Sequence, residues 1–503
     1  MAIGLKHGKV ELADHDTEWE INAAQTIERL WQAFGSVAKD IQHVGSTAIQ
    51  PIKAKPIIDL AVAVDDFSEV EALQTRLENA GFLRRHWETD EQMLFAVGDY
   101  TRLDGVVTHF IHVVKTDSMD WHNYLNFRDY LNANLAVAKR YETLKIKLAA
   151  ENQSDKGREK YLAGKRGFIE KTLQDALIWS SIHDIPDYDS FIKSEPIAKG
   201  WSGDKKYDIE TACGQRLLLR IADIAQYDRK KMEFETMGKA VSLGIPMQQP
   251  LDFGICNSGK SVYILLTWID GEDAEEVIPH LPEAQQYALG YQSGEILRKI
   301  HTLPAPDTLE KWEPRFNRKT DRRIESYQKN KSQAMTSGGE EHFLSFIKDN
   351  RALLANRPQC YQHGDYHIGN MVMDQDGSLY IIDWNRNDFG DPWEEFNRIT
   401  FTAHTSPYFA TGQLRGYFGG EPPEMFFRLL AFYIASNQLG VVDWALPFGK
   451  REVDFARKQN EEVLGWYGNM QTYIPSWYLA NFNIQRAETQ ACPNNRINSA
   501  QDG

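Results

Sequence analysis

The sequence predicts two folds in tandem: an α/β domain with a mixed sheet and closing helices, then an α+β domain whose strand-rich part precedes a larger helical part. Three features predict it. Apolar β-branched runs alternate with helical periodicity over the first 175 residues, which end in a long helical stretch. A polar segment containing Pro186, residues 180–189, then breaks that pattern. Beyond it, strand patterns crowd before residue 271 and helical patterns follow, around one polar block, His363-Gly364-Asp365-Tyr366-His367-Ile368-Gly369-Asn370.

In the first domain, residues 16–34 begin with an acidic turn and continue with helical spacing, so a helix stopped by Gly35 is expected. Ile41-Gln42-His43-Val44 reads as a strand entering Gly45-Ser46-Thr47. Residues 57–64 form a β-branched apolar run typical of a buried strand. A helix over 67–80, a strand at 109–114 and closing helices over 121–134, 136–151 and 158–179 complete the domain.

Four blocks occur in order: His43-Val44-Gly45-Ser46-Thr47-Ala48, Lys55-Pro56-Ile57-Ile58-Asp59, His109-Phe110-Ile111-His112-Val113 and Phe127-Arg128-Asp129-Tyr130-Leu131. Together they resemble the GrpB-like family, which is similar in fold to the nucleotidyltransferases. The resemblance implies a nucleotidyltransferase-like mixed sheet with C-terminal helices over 1–178, and a candidate site at Gly45, Ser46, Asp59 and His112. Nucleotidyltransferases set a Gly-Ser turn against a triphosphate and hold Mg²⁺ with two carboxylates on one face of a strand. This chain has Asp59, but Ala61 stands where the second carboxylate would be. One carboxylate is a poor site for two metals, so a ligand-binding or regulatory role is expected there. His109 and His112 also read as structural sheet residues.

The second domain is expected over 185–485, followed by a polar tail at 486–503 that is expected to be disordered. Residues 197–207 join two strand-like segments. There Gly200, Ser202 and Gly203 would let backbone N–H groups approach phosphates, with Lys205 or Lys206 adding charge. Residues 215–221 read as a buried strand carrying Arg220, and a helix starting near Lys230 carries Glu233 and Glu235. A strand cation paired with a helical Glu fixes the α- and β-phosphates in kinases. Arg220 stands where Lys is usual, but Arg is always charged and can clamp a phosphate. Residues 262–271 form an apolar strand and a Gly-containing hinge, where backbone near Thr267 to Ile269 could meet an adenine edge. Helices are expected over 290–301, with His301 packed in the core, over 424–441 and over 451–466. The charged stretch 312–339 reads as a solvated helix and loop.

Two apolar runs, 371–373 and 379–382, flank Asp374-Gln375-Asp376-Gly377-Ser378 and read as a β-hairpin. Asn370 enters the hairpin and Asp383 leaves it, so the two should be neighbours. Asp365 precedes Asn370 by five residues. One free carboxylate beside an amide and a second carboxylate suits proton acceptance next to a metal. Asp-x-x-x-x-Asn followed by an Asp after a hairpin is the arrangement of kinase-type phosphoryl transfer.

The block at 363–370, with Ile382-Asp383-Trp384 and Gly390-Asp391-Pro392, resembles the aminoglycoside phosphotransferase family. Gly200-Trp201-Ser202, Leu219-Arg220-Ile221 and the stretch from Leu297 to His301 agree in order. The resemblance implies a bilobal protein-kinase-like fold with Asp365 as catalytic base and Asn370 and Asp383 as Mg²⁺ ligands. It also implies ATP or GTP bound near Gly200, Ser202, Lys205, Arg220, Glu233, Thr267 and Ile269. His363 and His367 are expected to brace the loop, and Asp388 and Asp391 to be structural or substrate-facing. Glu394 and Glu395 could face a cationic amine, or satisfy a helix N-terminus. The acceptor would be a small-molecule hydroxyl, with an aminoglycoside or another cationic amino compound best supported. Two alternatives stand beside this: a non-catalytic nucleotide-binding regulator, and nucleotidyltransferase activity in the N-terminal domain.

The net charge of −15 argues against a nucleic-acid binder that works by general electrostatics. The four cysteines, Cys213, Cys256, Cys360 and Cys492, are far apart with no CxxC pair, as expected of reduced thiols in a cytoplasmic protein. The N-terminus lacks a signal-peptide core, and no apolar run is long enough for a membrane span.

Overall fold

A computed structural model of the chain describes all residues except 1–2, 7–8, 51, 86–90, 100–104, 153–156, 199–202, 331–338 and 483–503, and gives no side-chain burial for 157, 158, 442 and 443. The tail at 486–503, Cys492, Gly200 and Ser202 therefore lie outside the described residues. The chain divides into two compact units, Met1–Asp189 with Cys256–Gly259, and Ser190–Ile255 with Lys260–Gly503.

The first unit begins with β1 (Leu5–Lys6) and α1 (Glu18–Phe34). Buried Trp19, Ala23, Leu30 and Phe34 make one apolar stripe on that helix, and Gly35 ends it at φ 60°, a conformation favouring glycine. Next come β2 (Ala38–Val44), β3 (Ile58–Val64), α2 (Phe67–Ala72), α3 (Gln74–Asn79), β4 (Leu83–Arg84), β5 (Gln92–Gly98) and β6 (Val106–Lys115). The single helix expected over 67–80 is two, because Leu73 N–H bonds the Val70 carbonyl and tightens one turn. The sheet runs β2-β3-β6-β5-β4, with β1 also on β6. β3 and β6 are parallel and the other described pairs antiparallel, hence a mixed sheet. Three helices close the unit: α4 (Met119–Ala133), α5 (Leu135–Glu151) and α6 (Gly157–Ile182).

The second unit has a strand-rich lobe followed by a larger helical one. Its first lobe holds β7 (Phe191–Pro196), β8 (Lys205–Thr211), β9 (Arg216–Asp223), α7 (Tyr227–Ser242), β10 (Pro250–Cys256) and β11 (Ser261–Thr267). The sheet order is β10-β11-β9-β8-β7. A connector then leads through β12 (Glu272–Asp273) and α8 (Ala274–Val277) to α9 (Glu283–Ile300), α10 (Trp312–Asn330) and α11 (Glu340–Asn350). The remaining strands are β13 (Cys360–Gln362), β14 (Met371–Met373), β15 (Leu379–Ile381) and β16 (Asp388–Gly390). Helices α12 (Ile399–Thr405), α13 (Pro407–Phe418), α14 (Glu424–Ala445) and α15 (Lys450–Trp466) complete the lobe.

The expectation that the charged stretch after 312 is simply solvated needs correction. α10 buries Trp312, Phe316, Thr320 and Tyr327 on one face, and Trp312 Nε1–H donates to the Tyr433 hydroxyl at 3.0 Å. Most of its charges occupy the other faces, but Arg323 shares the inner one and donates to Ser436 at 3.1 Å and Asn437 at 3.3 Å. α9 and α13 meet backbone to backbone. A Cβ on Gly290 would lie 2.1 Å from the Phe409 carbonyl oxygen, and one on Gly416 1.9 Å from that of Tyr291. Among the described residues no helix is long and apolar enough to cross a membrane. Cys213, Cys256 and Cys360 are free thiols.

Candidate active site

The hairpin β14–β15 pairs Met371 with Ile381, and Ile382 N–H extends the pairing to the Asn370 carbonyl at 3.0 Å. Asn370 and Asp383 therefore sit on adjoining strand ends. Asp383 is left-handed, at φ 63° and ψ 60°, a conformation uncommon outside glycine. Asn370 donates its amide to the Asp365 backbone carbonyl at 2.8 Å, tying the hairpin to the preceding loop.

That loop is braced on three sides. His363 is fully buried, donates Nε2–H to the Ile382 carbonyl at 3.0 Å and accepts the Asp365 N–H on Nδ1 at 3.3 Å. These bonds engage both ring nitrogens and leave neither for chemistry. Glu395 accepts the N–H groups of Gly364 at 2.9 Å and Tyr366 at 3.4 Å. Gly364 has φ 84°, and a Cβ there would lie 1.9 Å from the Arg386 carbonyl oxygen. Glu394, also buried, is held by Lys319 and Gln362, each at 3.2 Å. Neither Glu394 nor Glu395 is among the residues lining the cavity described below, and protein donors take both carboxylates. They sit in a short 3₁₀ segment, and their carboxylates take specific donors rather than a helix terminus. Asp391 is structural, clamped by Arg357 at 2.6 and 2.9 Å and by the Tyr433 hydroxyl. His301 is packed inside, against the Tyr417 hydroxyl at 2.9 Å.

Asp365 carries the site's electrostatics. Burial, the largest single cause, pushes its carboxyl up, but the surrounding cations, Arg398 with Nε at 3.2 Å first and then Arg386 at 3.6 Å, together outweigh it. The net effect lies below the ordinary carboxylate value, so Asp365 is an anion at neutral pH. His367 is driven down to about 4, chiefly by burial, and its Nδ1 accepts the Gly369 N–H at 3.1 Å. It is a neutral brace.

Opposite stands a buried cluster of four charges. Arg220 on β9 pairs with Glu233 at 2.7 Å and with Asp204 at 2.5 Å, and Lys230 reaches Asp204 at 2.6 Å and Glu233 at 3.1 Å. Of the two glutamates expected as partner, Glu233 is the one used. Arg220 also feels the charge of Asp383. Sequence reasoning missed Asp204, Lys230, Arg386 and Arg398. Lys230 had a signal, since it precedes Glu233 by three residues on one helix face. The others come from distant segments and had none.

Asp365, Asp204, Arg220, Lys230 and Arg386 line one cavity of about 710 Å³, together with Asn370, Asp383, Ile269 and Lys206. Lys205 is not among them. In the β8–β9 register Lys206 lies opposite Arg220 while Lys205 lies opposite Ile221, so alternation turns Lys205 to the other face. Thr267 is also absent: its N–H goes to the Gln249 carbonyl and its hydroxyl accepts the Gln249 N–H. Among the described residues, Asp383's carboxylate and Asn370's side-chain oxygen take part in no hydrogen bond or ion pair. Two hard oxygens of this kind fit Mg²⁺, which takes one or two protein oxygens and completes its shell with water and phosphate. No three His, Cys, Asp or Glu side chains among the described residues form a metal cage.

In the first unit, Gly45, Asp59 and His112 come together. Gly45 has φ 72°, and a Cβ there would lie 2.5 Å from Asp59 Oδ2. His112 Nε2 is 3.4 Å from Asp59 Oδ1, while its Nδ1 accepts from Gln92 at 2.7 Å. Ser46 opens the short 3₁₀ turn that follows Gly45. Ala61 is buried among Val44, Ala63 and Val114, so apolar packing fills the place of a second carboxylate. His109 is structural, bonded to Thr26 at 3.1 Å.

Comparison with known proteins matches residues 9–175 to the family model described as GrpB protein, and residues 193–427 to that described as Phosphotransferase enzyme family. The glutamate-rich protein GrpB of Alkalihalophilus pseudofirmus is 36% identical over 176 residues, covering 34% of this chain and 99% of the relative. The crystal structure of GrpB from Enterococcus faecalis is 28% identical with a TM-score of 0.30, covering 33% of this chain and 97% of that one. A GDP complex of wild-type aminoglycoside 2'-phosphotransferase-IIIa is 13% identical with a TM-score of 0.45, covering 58% of this chain and 97% of that one.

Proposed function

The chain belongs to the GrpB family through residues 9–175 and is a kinase-type phosphotransferase through 193–427, and from that premise we propose a specific reaction for the second domain. It moves the γ-phosphate of ATP or GTP, with Mg²⁺, to a hydroxyl of a small molecule, an aminoglycoside or another cationic amino compound. The observation that carries this reading is that Asp365, Asn370, Asp383, Arg220 and Lys230 all line one cavity. Mg²⁺ held by Asn370 and Asp383 would supply charge neutralisation on the nucleotide phosphates.

The chain's own residues do the rest. Asp365, ionised and fixed by Arg398, accepts the proton of the acceptor hydroxyl. The Arg220–Lys230 pair offers two cations to phosphate oxygens, pre-oriented by Glu233 and Asp204 so that little reorganisation is needed. Ile269 and Trp268 line the cavity where a purine would lie. Asp273 and Glu275 add anionic groups to the same wall, which favours a cationic acceptor.

The test is equilibrium binding of Mg-AMP-PNP and Mg-GMP-PNP to the full chain. Asp383→Ala should weaken the magnesium-dependent part of binding at least about tenfold. Binding of equal strength with and without magnesium, unchanged by Asp383→Ala, would refute the assignment.

A further inference from the structure

One side chain in the cavity around Asp365 has no part in the transfer itself. Gln248 lies on the segment between α7 and β10, and that segment is pinned on both sides of it. Before it, the Pro246 carbonyl accepts the Ile381 N–H at 2.9 Å, and Met247 bridges Ile381. After it, the Gln249 carbonyl accepts the Thr267 N–H at 3.0 Å, while the Gln249 N–H donates to the Thr267 hydroxyl at 2.9 Å. Gln248 is therefore held between the β14–β15 hairpin and the connector that follows β11.

Its surroundings make the residue informative. Gln248 is 8% exposed and lines the cavity, and among the described residues its side-chain amide takes part in no hydrogen bond. The cavity wall also carries Ile197, Leu218, Ile269, Val372 and Ile382, whose side chains offer an amide nothing to bond. A buried amide with donor and acceptor both unmade is destabilising unless something that enters the cavity completes it. Nearby backbone donors are already taken: Thr267 N–H by the Gln249 carbonyl, and Trp268 N–H by the Arg216 carbonyl at 3.2 Å. Gln248 is thus a polar group free to meet the edge of a ring seated among the apolar side chains.

An amide carries an acceptor oxygen and a donor nitrogen side by side. Adenine sets an amino donor beside a ring-nitrogen acceptor. Guanine sets a carbonyl acceptor beside a ring N–H donor. The last torsion of a glutamine side chain is broad and two-fold, so the same amide, turned over, matches either edge with two hydrogen bonds.

We propose that Gln248 reads the purine of the bound nucleotide, and that its amide, by turning over, admits adenine and guanine nucleotides alike. The inference rests on the reading of this cavity as a nucleotide site. It adds the residue that recognises the base, and a dual specificity that follows from the chemistry of that residue.

The experiment is calorimetric titration of the full chain, with magnesium and without acceptor, using ADP, GDP and purine riboside 5′-diphosphate, whose ring lacks the amino and carbonyl groups. The wild type should bind ADP and GDP within about tenfold of each other, and each at least about tenfold more tightly than the purine riboside. Gln248→Leu should weaken ADP and GDP at least about tenfold and bring all three ligands within about threefold, a convergence that a merely structural role would not produce. Should Gln248→Leu fail to fold, Gln248→Met, which keeps the length of the side chain, should give the same convergence, and the wild-type comparison of ADP with the riboside needs no variant. A wild-type preference for one purine beyond about tenfold, a riboside bound as tightly as ADP, or discrimination that survives in the folded variant would each overturn the proposal while leaving the cavity a nucleotide site. Failure of all three to bind at millimolar concentration would remove the nucleotide reading itself, and the proposal with it.

Discussion

Three histidines are held well below their ordinary value by burial. His367, held near 4 by burial, is neutral from pH 6 to 8, so His367→Gln should leave the shape of the kcat profile over that range unchanged. An acid limb near pH 6.5 that disappears in His367→Gln would contradict this. His43 and His109 are likewise lowered to about 4, by burial first. Their folded values lie below the unfolded value near 6.5, so the unfolded chain takes up the protons. The stability they contribute is fully present above about pH 6.5 and is lost as pH falls toward 4. Urea unfolding of the first domain should weaken from pH 7 to pH 5, and His109→Asn should flatten that dependence. At this scale Asp365, Asn370 and Asp383 are legible in the sequence, because five residues and one hairpin bring them together. Arg398 and Asp204 are not, because long-range packing supplies them. Arg220 is half legible: its partner Glu233 can be anticipated, but not that Lys230 shares it. Arg220→Met would leave Asp204 and Glu233 buried with one cation between them, and should destabilise the second domain by about 3 kcal/mol in denaturant titration.

Helices α9 and α13 carry the clearest prediction among the elements. Gly290 and Gly294 face Gly412 and Gly416, and a methyl group on Gly290 meets backbone rather than a side chain that could move aside. Gly290→Ala should destabilise the second domain by about 1–3 kcal/mol. Gly238→Ala, on α7 with open space around it, should be neutral or stabilise by roughly 0.5–1 kcal/mol. Equal effects in chemical denaturation would contradict the close packing. Most elements follow from periodicity: α1, β3, β6, α14 and the β14–β15 hairpin fall close to their expected ranges. α10 misleads because its charges outnumber its apolar positions, although Trp312, Phe316 and Tyr327 lie on one face. The Thr267 and Lys205 assignments fail for the same kind of reason. Proximity in sequence does not say which way a strand residue points, and only the pairing register does.

Taken as one molecule, the chain joins a GrpB-family domain with one strand carboxylate to a phosphotransferase-family domain in which Asp365, Asn370, Asp383, Arg220 and Lys230 line one cavity. The two families are legible because their motifs are contiguous blocks in order. The acceptor is not, because it depends on the cavity wall, where Asp273 and Glu275 emerge from a segment with no motif of its own. The central claim is that Asp365 is the base of a phosphoryl transfer. Its most direct test is transfer of radiolabelled γ-phosphate from Mg-ATP or Mg-GTP to a panel of aminoglycosides and other hydroxyl-bearing amines, with wild type and Asp365→Asn side by side. The account predicts a labelled acceptor with the wild type, and a loss of at least about 100-fold in kcat with Asp365→Asn while nucleotide affinity changes little. Transfer by Asp365→Asn within a few-fold of wild type would contradict it.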